Sequence, residues 1–217
     1  MQRYFVTGTD TDVGKTRVTA AVALALRNAG ELPTIVKLVQ TGLAPNVEGD
    51  AARAGTLAGA SYVELARFRT AADPWSAARA EGSALQAHAL ARALDSLQGP
   101  VVVEGSGGIM VPLNDREHLG DVVALAKLEA IVVVGLRLGC LNHALLTLEL
   151  CSKLGVPVAG AVLVERWGPT GDAYRSDVER VLQGKTRVLG ILRFAPDEAE
   201  SVLAGANLFE PLVIRDS

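Results

Sequence analysis

The feature that most constrains this chain lies almost at its start. A short apolar run, Tyr4-Phe5-Val6-Thr7, enters Gly8-Thr9-Asp10-Thr11-Asp12-Val13-Gly14-Lys15-Thr16, and an alanine- and leucine-rich segment begins near Thr16. Strand, glycine-bounded loop and helix in that order make a P-loop. The backbone N–H groups of such a loop and the positive end of the following helix form a cradle for anions. Lys15 can reach terminal phosphates, and the Thr16 hydroxyl is placed to ligate magnesium. One detail departs from the usual spacing: five residues, not four, separate Gly8 from Gly14. The plainer reading is a strand-to-helix turn with a surface lysine. The Lys-Thr pair, the preceding strand and the following helix agree instead on a bound nucleoside triphosphate.

The rest of the chain fits a fold built around that loop. Short β-branched runs alternate with helical patterns, which predicts a mostly parallel sheet with helices on both faces. Strands are expected at about Arg3–Thr7, Thr34–Val39, Val101–Glu104, Ala130–Val134, Val158–Val164 and Arg187–Ile191. Helices are expected at Lys15–Asn28, Asp50–Gly59, Ala84–Gln98, Gly120–Leu128, Asn142–Leu154 and Gly171–Leu182, with Gly30 and Gly155 at C-terminal caps. Thr41–Gly49 and Arg69–Gly82 read as long irregular stretches, where substrate contacts often sit. The length of 217 residues suits one α/β domain, 1–217.

Composition removes several classes. A net charge of −3 gives no electrostatic reason to expect nucleic acid, and 4% aromatics provide no stacking platform for single strands. The apolar stretch Ala130–Val134 is too short to span a bilayer. No basic, apolar and cleavage-site series opens the chain, so no signal peptide is expected. The two cysteines, Cys140 and Cys151, suggest neither a disulfide framework nor zinc spacing. A reducing cytoplasm fits best.

In open parallel sheets ligands bind beyond the carboxyl ends of the strands. The second expected strand carries Lys37 in Ile35-Val36-Lys37-Leu38. A lysine inside an apolar strand is costly unless its charge meets a partner. It either snorkels from an edge strand or faces phosphate or substrate beside the loop, with Thr41 offering a hydroxyl nearby. Val101-Val102-Val103-Glu104 runs into Gly105-Ser106-Gly107-Gly108. A carboxylate there is where P-loop proteins hold the magnesium shell, and the glycines let backbone approach phosphate or substrate. Asp50 opens a helix, where aspartate also serves as an N-cap. Thr16, Asp50 and Glu104 together could supply oxygen ligands for magnesium. Asn142 is a candidate N-cap after the fourth strand, and such a helix start attracts a carboxylate. Cys140 reads as a packing residue. His143 reads as structural or peripheral, and His88 and His118 as exposed.

The P-loop with its five-residue spacing, Val103-Glu104-Gly105-Ser106-Gly107-Gly108, and Gly139-Cys140-Leu141-Asn142-His143-Ala144-Leu145-Leu146-Thr147 together resemble dethiobiotin synthetase. The resemblance spans some three-quarters of the chain, to about Val164. It implies the ATP- and magnesium-dependent conversion of 7,8-diaminopelargonic acid and CO2 into dethiobiotin, ADP and phosphate. The route passes through a carbamate and its mixed anhydride with phosphate. By matching positions, Thr11, Asp12, Val13, Gly14, Lys15 and Thr16 would hold ATP, and Thr16, Asp50 and Glu104 the magnesium. Lys37 and Lys15 would be catalytic. Thr11, Thr41, Ser106 and Gly107 would contact the diamine or its carbamate. The family acts as a homodimer, so Cys140, Leu141 and Asn142 would receive the substrate carboxylate from the neighbouring subunit.

Three positions depart from the family. Leu38 replaces a proline after Lys37, and Thr41 replaces a serine with its hydroxyl kept. Val164 stands where an asparagine reads adenine, and valine has no polar group for that task. The expectation is either that other triphosphates are accepted or that backbone groups near Leu192–Pro196 read the base. The rival reading is a switch ATPase of the partitioning type. Those proteins carry an extra lysine early in the loop, and Thr9-Asp10-Thr11 has none.

Overall fold

The computed structural model describes residues 2–213. Strands β1 (Arg3–Gly8), β2 (Thr34–Lys37), β3 (Ser61–Glu64), β4 (Val101–Glu104), β5 (Glu129–Gly135), β6 (Val158–Val164) and β7 (Val188–Leu192) form one sheet in the order β3-β2-β4-β1-β5-β6-β7. Every neighbouring pair is parallel. The sheet is thus wholly rather than mostly parallel.

The apolar runs are continuous because both faces are covered. Successive side chains point to opposite sides, so Tyr4, Val6, Ile35, Val102, Ile131 and Val133 pack on one face. Helices α1 (Lys15–Asn28), α2 (Asp50–Ala58), α8 (Glu198–Ala206) and α9 (Glu210–Val213) cover it. Phe5, Val36, Val101 and Val103 point the other way, onto α3 (Pro74–Ala80), α4 (Ala87–Asp95) and α5 (Leu119–Leu125). Val132 and Val134 meet α6 (Cys140–Lys153) and α7 (Asp172–Gln183).

Helix α1 spans the residues expected of it, and Gly30 (φ 87°) and Gly155 (φ 65°) stand just past the ends of α1 and α6. Four elements escape the sequence reading. Strand β3 is a short edge strand with only Tyr62 and Val63 apolar, and it lies outside β2. Lys37 is therefore not on an edge. Helix α3 lies within the stretch 69–82 expected to be irregular; Asp73 caps it by accepting from Ser76 N at 3.0 Å, and Pro74 follows at N1. Helix α8 and α9 follow β7. From the segment 207–217, which carries no sequence signal, Phe209, Leu212 and Val213 are buried, and Tyr4 Oη donates to Leu212 O at 3.1 Å. Residues 214–217 lie outside the described residues. His118 is not an exposed loop residue: it caps α5, and its backbone N–H donates to Asp121 Oδ2 at 2.8 Å.

Candidate active site

The strand order sets β1 between β4 and β5, so the loop after β1 stands over the middle of the sheet. Its base is tied down by Gly8 N donating to Gly107 O at 3.2 Å and Thr9 N to Val133 O at 2.9 Å. A Cβ on Gly8 would stand 2.5 Å from Asp10 O, so only glycine fits that turn. Gly14 caps α1 at φ 100°, in the left-handed region. Asp12, at φ 55°, accepts from Arg166 Nη2 at 2.9 Å, and Asp10 pairs with Arg137.

Lys15 is buried under this loop, its Nζ donating to Asp10 O at 3.0 Å. Burial, and secondarily the neighbouring Lys37 cation, pushes its pKa down to about 8, while Glu104, Asp50 and Asp10 offset part of the effect. It is a desolvated cation with a backbone carbonyl as its one hydrogen-bond partner among the described residues. An incoming phosphate meets that need.

Register explains the second lysine. The β2–β4 pairing sets Lys37 opposite Glu104, and on its other side Glu104 pairs with Val6 of β1. Lys37 Nζ lies 2.8 Å from Glu104 Oε1 and 2.6 Å from Asp50 Oδ2, and it donates to Gly105 O at 3.2 Å. Burial works against its charge, but Glu104 and Asp50 outweigh it and hold the pKa above the ordinary lysine value. Thr16 Oγ1 donates to the same Glu104 Oε1 at 3.1 Å.

Thr16, Asp50 and Glu104 therefore converge on one point. Glu104 Oε2 is buried with no hydrogen-bond partner among the described residues, which leaves an acceptor for a ligand at that point. Among the described residues no group of three or more His, Cys, Asp or Glu could hold a metal. Two carboxylates and one hydroxyl suit magnesium, which keeps several waters and takes further oxygens from phosphates. The donor set fits that ion. Asp50 is the first residue of α2 rather than its cap; Gly49 is the cap, and Asp50 N donates to Gln40 Oε1 at 2.9 Å.

A cleft of about 580 Å³ opens over these groups. Thr41, Ser106, Gly107 and Val111 line it toward α3, and Thr11, Asp12 and Gly14 line it along the loop. Ser106 Oγ donates to Val39 O at 2.5 Å, and a Cβ on Gly107 would stand 3.6 Å from Thr11 Oγ1. Five expected residues, Val13, Cys140, Leu141, Asn142 and Val164, do not line this cleft. Cys140, Leu141 and Asn142 sit at the start of α6, whose cap is Gly139 at φ 91° and not Asn142. Cys140 is buried with its Sγ 3.4 Å from Tyr174 Oη, a packing position. Val164 is only 1% exposed and packs beneath the P-loop, where a Cβ on Gly14 would come within 3.0 Å of its Cγ1. It stabilises the loop from below rather than facing a ligand. Val13 is likewise buried, leaving only its backbone for a phosphate.

Several residues in or beside the cleft escape the sequence reading. Gln40 and Arg67 hold the loop before α2, Arg67 Nη1 donating to Ala44 O at 2.9 Å and Val47 O at 3.1 Å. Arg17, Arg53 and Glu198 form a wall of ion pairs from α1, α2 and α8. Arg17 and Arg53 follow Thr16 and Asp50 closely in sequence, which is the one local signal for them. Glu198 has none.

Comparison with known proteins agrees with this geometry. The AAA-domain family matches residues 2–200. ATP-dependent dethiobiotin synthetase BioD of Anaeromyxobacter dehalogenans is 41% identical over 179 residues, covering 79% of this chain and 80% of that protein. The Rhodococcus jostii protein of the same name is 43% identical over 164 residues, covering 73% and 71%. Among solved structures, a ParA family ATPase from Chlorobium tepidum superposes with a TM-score of 0.59 at 16% identity, covering 100% of this chain and 95% of that one. The Pyrococcus furiosus cell division ATPase MinD gives 0.58 at 18%, covering 97% and 91%. At such identities the last two show a shared fold alone. The sequence relatives carry the assignment: this chain belongs to the ATP-dependent dethiobiotin synthetase family.

Proposed function

We propose that this chain is a cyclo-ligase that forms dethiobiotin from 7,8-diaminopelargonic acid, CO2 and ATP. The observation that carries the reading is Lys37, a buried lysine gripped by Asp50 and Glu104 and facing the same cleft as Lys15. One amine of the diamine takes up CO2 as a carbamate. A carbamate oxygen attacks the γ-phosphorus, and the bond to the ADP oxygen breaks. The second amine then attacks the activated carbonyl carbon, phosphate departs, and the ureido ring closes.

Phosphoryl transfer of this kind needs positioning and charge neutralisation above all. Lys15 would neutralise the β- and γ-phosphates, and Lys37 the carbamate and the transferred phosphoryl group. Thr16, Asp50 and Glu104 would hold magnesium, which when bound would add further neutralising charge for the phosphates. Thr41, Ser106 and Gly107, on the side of the cleft toward α3, and Thr11 of the loop would seat the diamine. The α6 start of a partner subunit would take its carboxylate in a homodimer. No helix among the described residues is long and apolar enough to cross a membrane, and we read the enzyme as cytoplasmic.

The test is phosphate release from ATP and magnesium, with the diamine and bicarbonate added singly and together. Release that needs both additions supports the reading. Equal release without the diamine would make the protein a switch-type ATPase and end it.

Burial of Val164 leads to a prediction about the base. A site with no side chain hydrogen-bonding the base discriminates far less than one built to do so. KM values for CTP and GTP are expected within about tenfold of that for ATP. Steady-state kinetics with each nucleotide check this, and a preference for ATP of roughly several hundredfold would contradict it.

A further inference from the structure

The cleft crosses from one face of the sheet to the other. Lys15 and Lys37 occupy its middle, and Ser106 and Thr41 lie toward α3 on one face. On the opposite face, Arg17, Arg53, Leu57 and Glu198 line it from α1, α2 and α8. Glu198 Oε1 takes Arg17 Nε at 3.2 Å. Its Oε2 takes Arg53 Nε at 2.7 Å and Nη2 at 2.5 Å. One carboxylate thus fixes two guanidinium groups, and the cluster keeps one net positive charge. The Nη donors of Arg17 and the Nη1 of Arg53 have no partner among the described residues.

The side chain of Arg17 is only 11% exposed, a burial that the weakly hydrated guanidinium tolerates better than an ammonium would. Partly desolvated guanidinium donors facing a cavity suit an oxyanion, because their planar fork matches phosphate. Arg17 also directly follows Thr16 on α1, which covers the face of the sheet opposite to α3. If the γ-phosphate lies at Lys37 beside the acceptor, the α-phosphate and sugar must run toward Arg17.

We propose that Arg17 and Arg53, gripped by Glu198, form an arginine clamp for the α-phosphate of the bound nucleotide. Leu57 lines the same wall and offers an apolar surface to the sugar. Glu198 is a positioning residue: it holds the guanidinium groups and does not itself bind phosphate. The inference rests on the nucleotide reading of the cleft and is independent of which diamine or acceptor is used.

The experiment is calorimetric titration of ATP, ADP, AMP and adenosine into the wild type, Arg53→Ala and Glu198→Gln. Arg53 is 56% exposed, so its removal leaves the core untouched. Arg53→Ala is expected to weaken ATP, ADP and AMP by the same factor, roughly tenfold, and to leave adenosine unchanged. Glu198→Gln should weaken the three nucleotides likewise, by freeing both guanidinium groups. Unchanged nucleotide binding in Arg53→Ala would overturn the clamp. So would a loss confined to ATP, which would place the arginines at the terminal phosphate, or an equal loss for adenosine, which would place them at the sugar or base. Diamine-dependent phosphate release by the wild type is measured alongside. Its failure would refute the ligase reading while leaving the clamp to stand or fall on the titrations.

Discussion

Lys37→Ala should abolish diamine-dependent phosphate release while nucleotide still binds. Lys37 sits where charge builds on the transferred phosphoryl group, and removing one such preorganised donor typically costs ~10²–10³ in kcat. A loss of about that size or greater is expected, with KM for ATP changed far less. The substitution also has a structural consequence, because Glu104 is 1% exposed and Lys37 is the cation paired with it and with Asp50. Breaking a buried ion pair by removing one partner costs ~3–5 kcal/mol, so Lys37→Ala should also melt well below the wild type. Lys37→Gln separates the two effects, since it keeps a donor for Glu104 but carries no charge. If Lys37→Gln folds and still turns over at more than roughly a hundredth of the wild-type rate, the least that a lost donor should cost, the proposed role of Lys37 is wrong.

The second large effect is a stability that depends on pH in the direction opposite to that of a paired lysine. Burial and the Lys37 cation push the Lys15 pKa down to about 8 from 10.5. Between those values the unfolded chain carries a proton at this group that the native protein lacks. Stability from Lys15 therefore rises with pH through that window, and below pH 8 the charged side chain costs the nucleotide-free protein on the order of 3 kcal/mol. Lys15→Met should consequently melt higher than the wild type at pH 7, with the difference shrinking as the pH approaches 10.5. Nucleotide should stabilise the wild type strongly and the variant little, because phosphate is the partner the ammonium lacks. Thermal melts at several pH values, with and without ADP, check both statements. A variant less stable than the wild type at pH 7 would show that Lys15 is already well compensated by Asp10 O.

A protein that carries a destabilised cation at its own centre stores part of its recognition in the nucleotide-free state. The same loop is strapped from both sides, by Arg166 on Asp12 and Arg137 on Asp10. These pairs tie Asp10 and Asp12 of the cradle to the loops after β5 and β6 in the nucleotide-free protein.

Much of this site could be read along the chain. The loop Gly8–Thr16, the helix α1 with its bounds, Lys37 in an apolar strand and Glu104 at a strand end are all local patterns. Each violates or satisfies a rule within about ten residues of itself: a glycine where no Cβ fits, a charge where burial is expected, a periodicity that changes from 2 to 3.6. The elements that escaped notice lack such a signature. Strand β3 offers two apolar residues at a sheet edge, α9 is a four-residue helix whose burial comes from its neighbours, and Glu198 resembles any acidic residue in a first helical turn.

What the chain by itself determined was therefore the inventory: a phosphate-binding loop, two lysines, carboxylates, and the alternation that makes a parallel sheet. Only the tertiary structure decided which of them meet. Lys37 and Glu104 are 67 residues apart and meet through strand register, and Arg53 and Glu198 are 145 apart and meet through helix packing. It also turned Val164 inward beneath Gly14, where alignment alone suggests a side chain that faces the nucleotide. Register and packing arise from the summed burial of the whole core, and no window of sequence contains that sum.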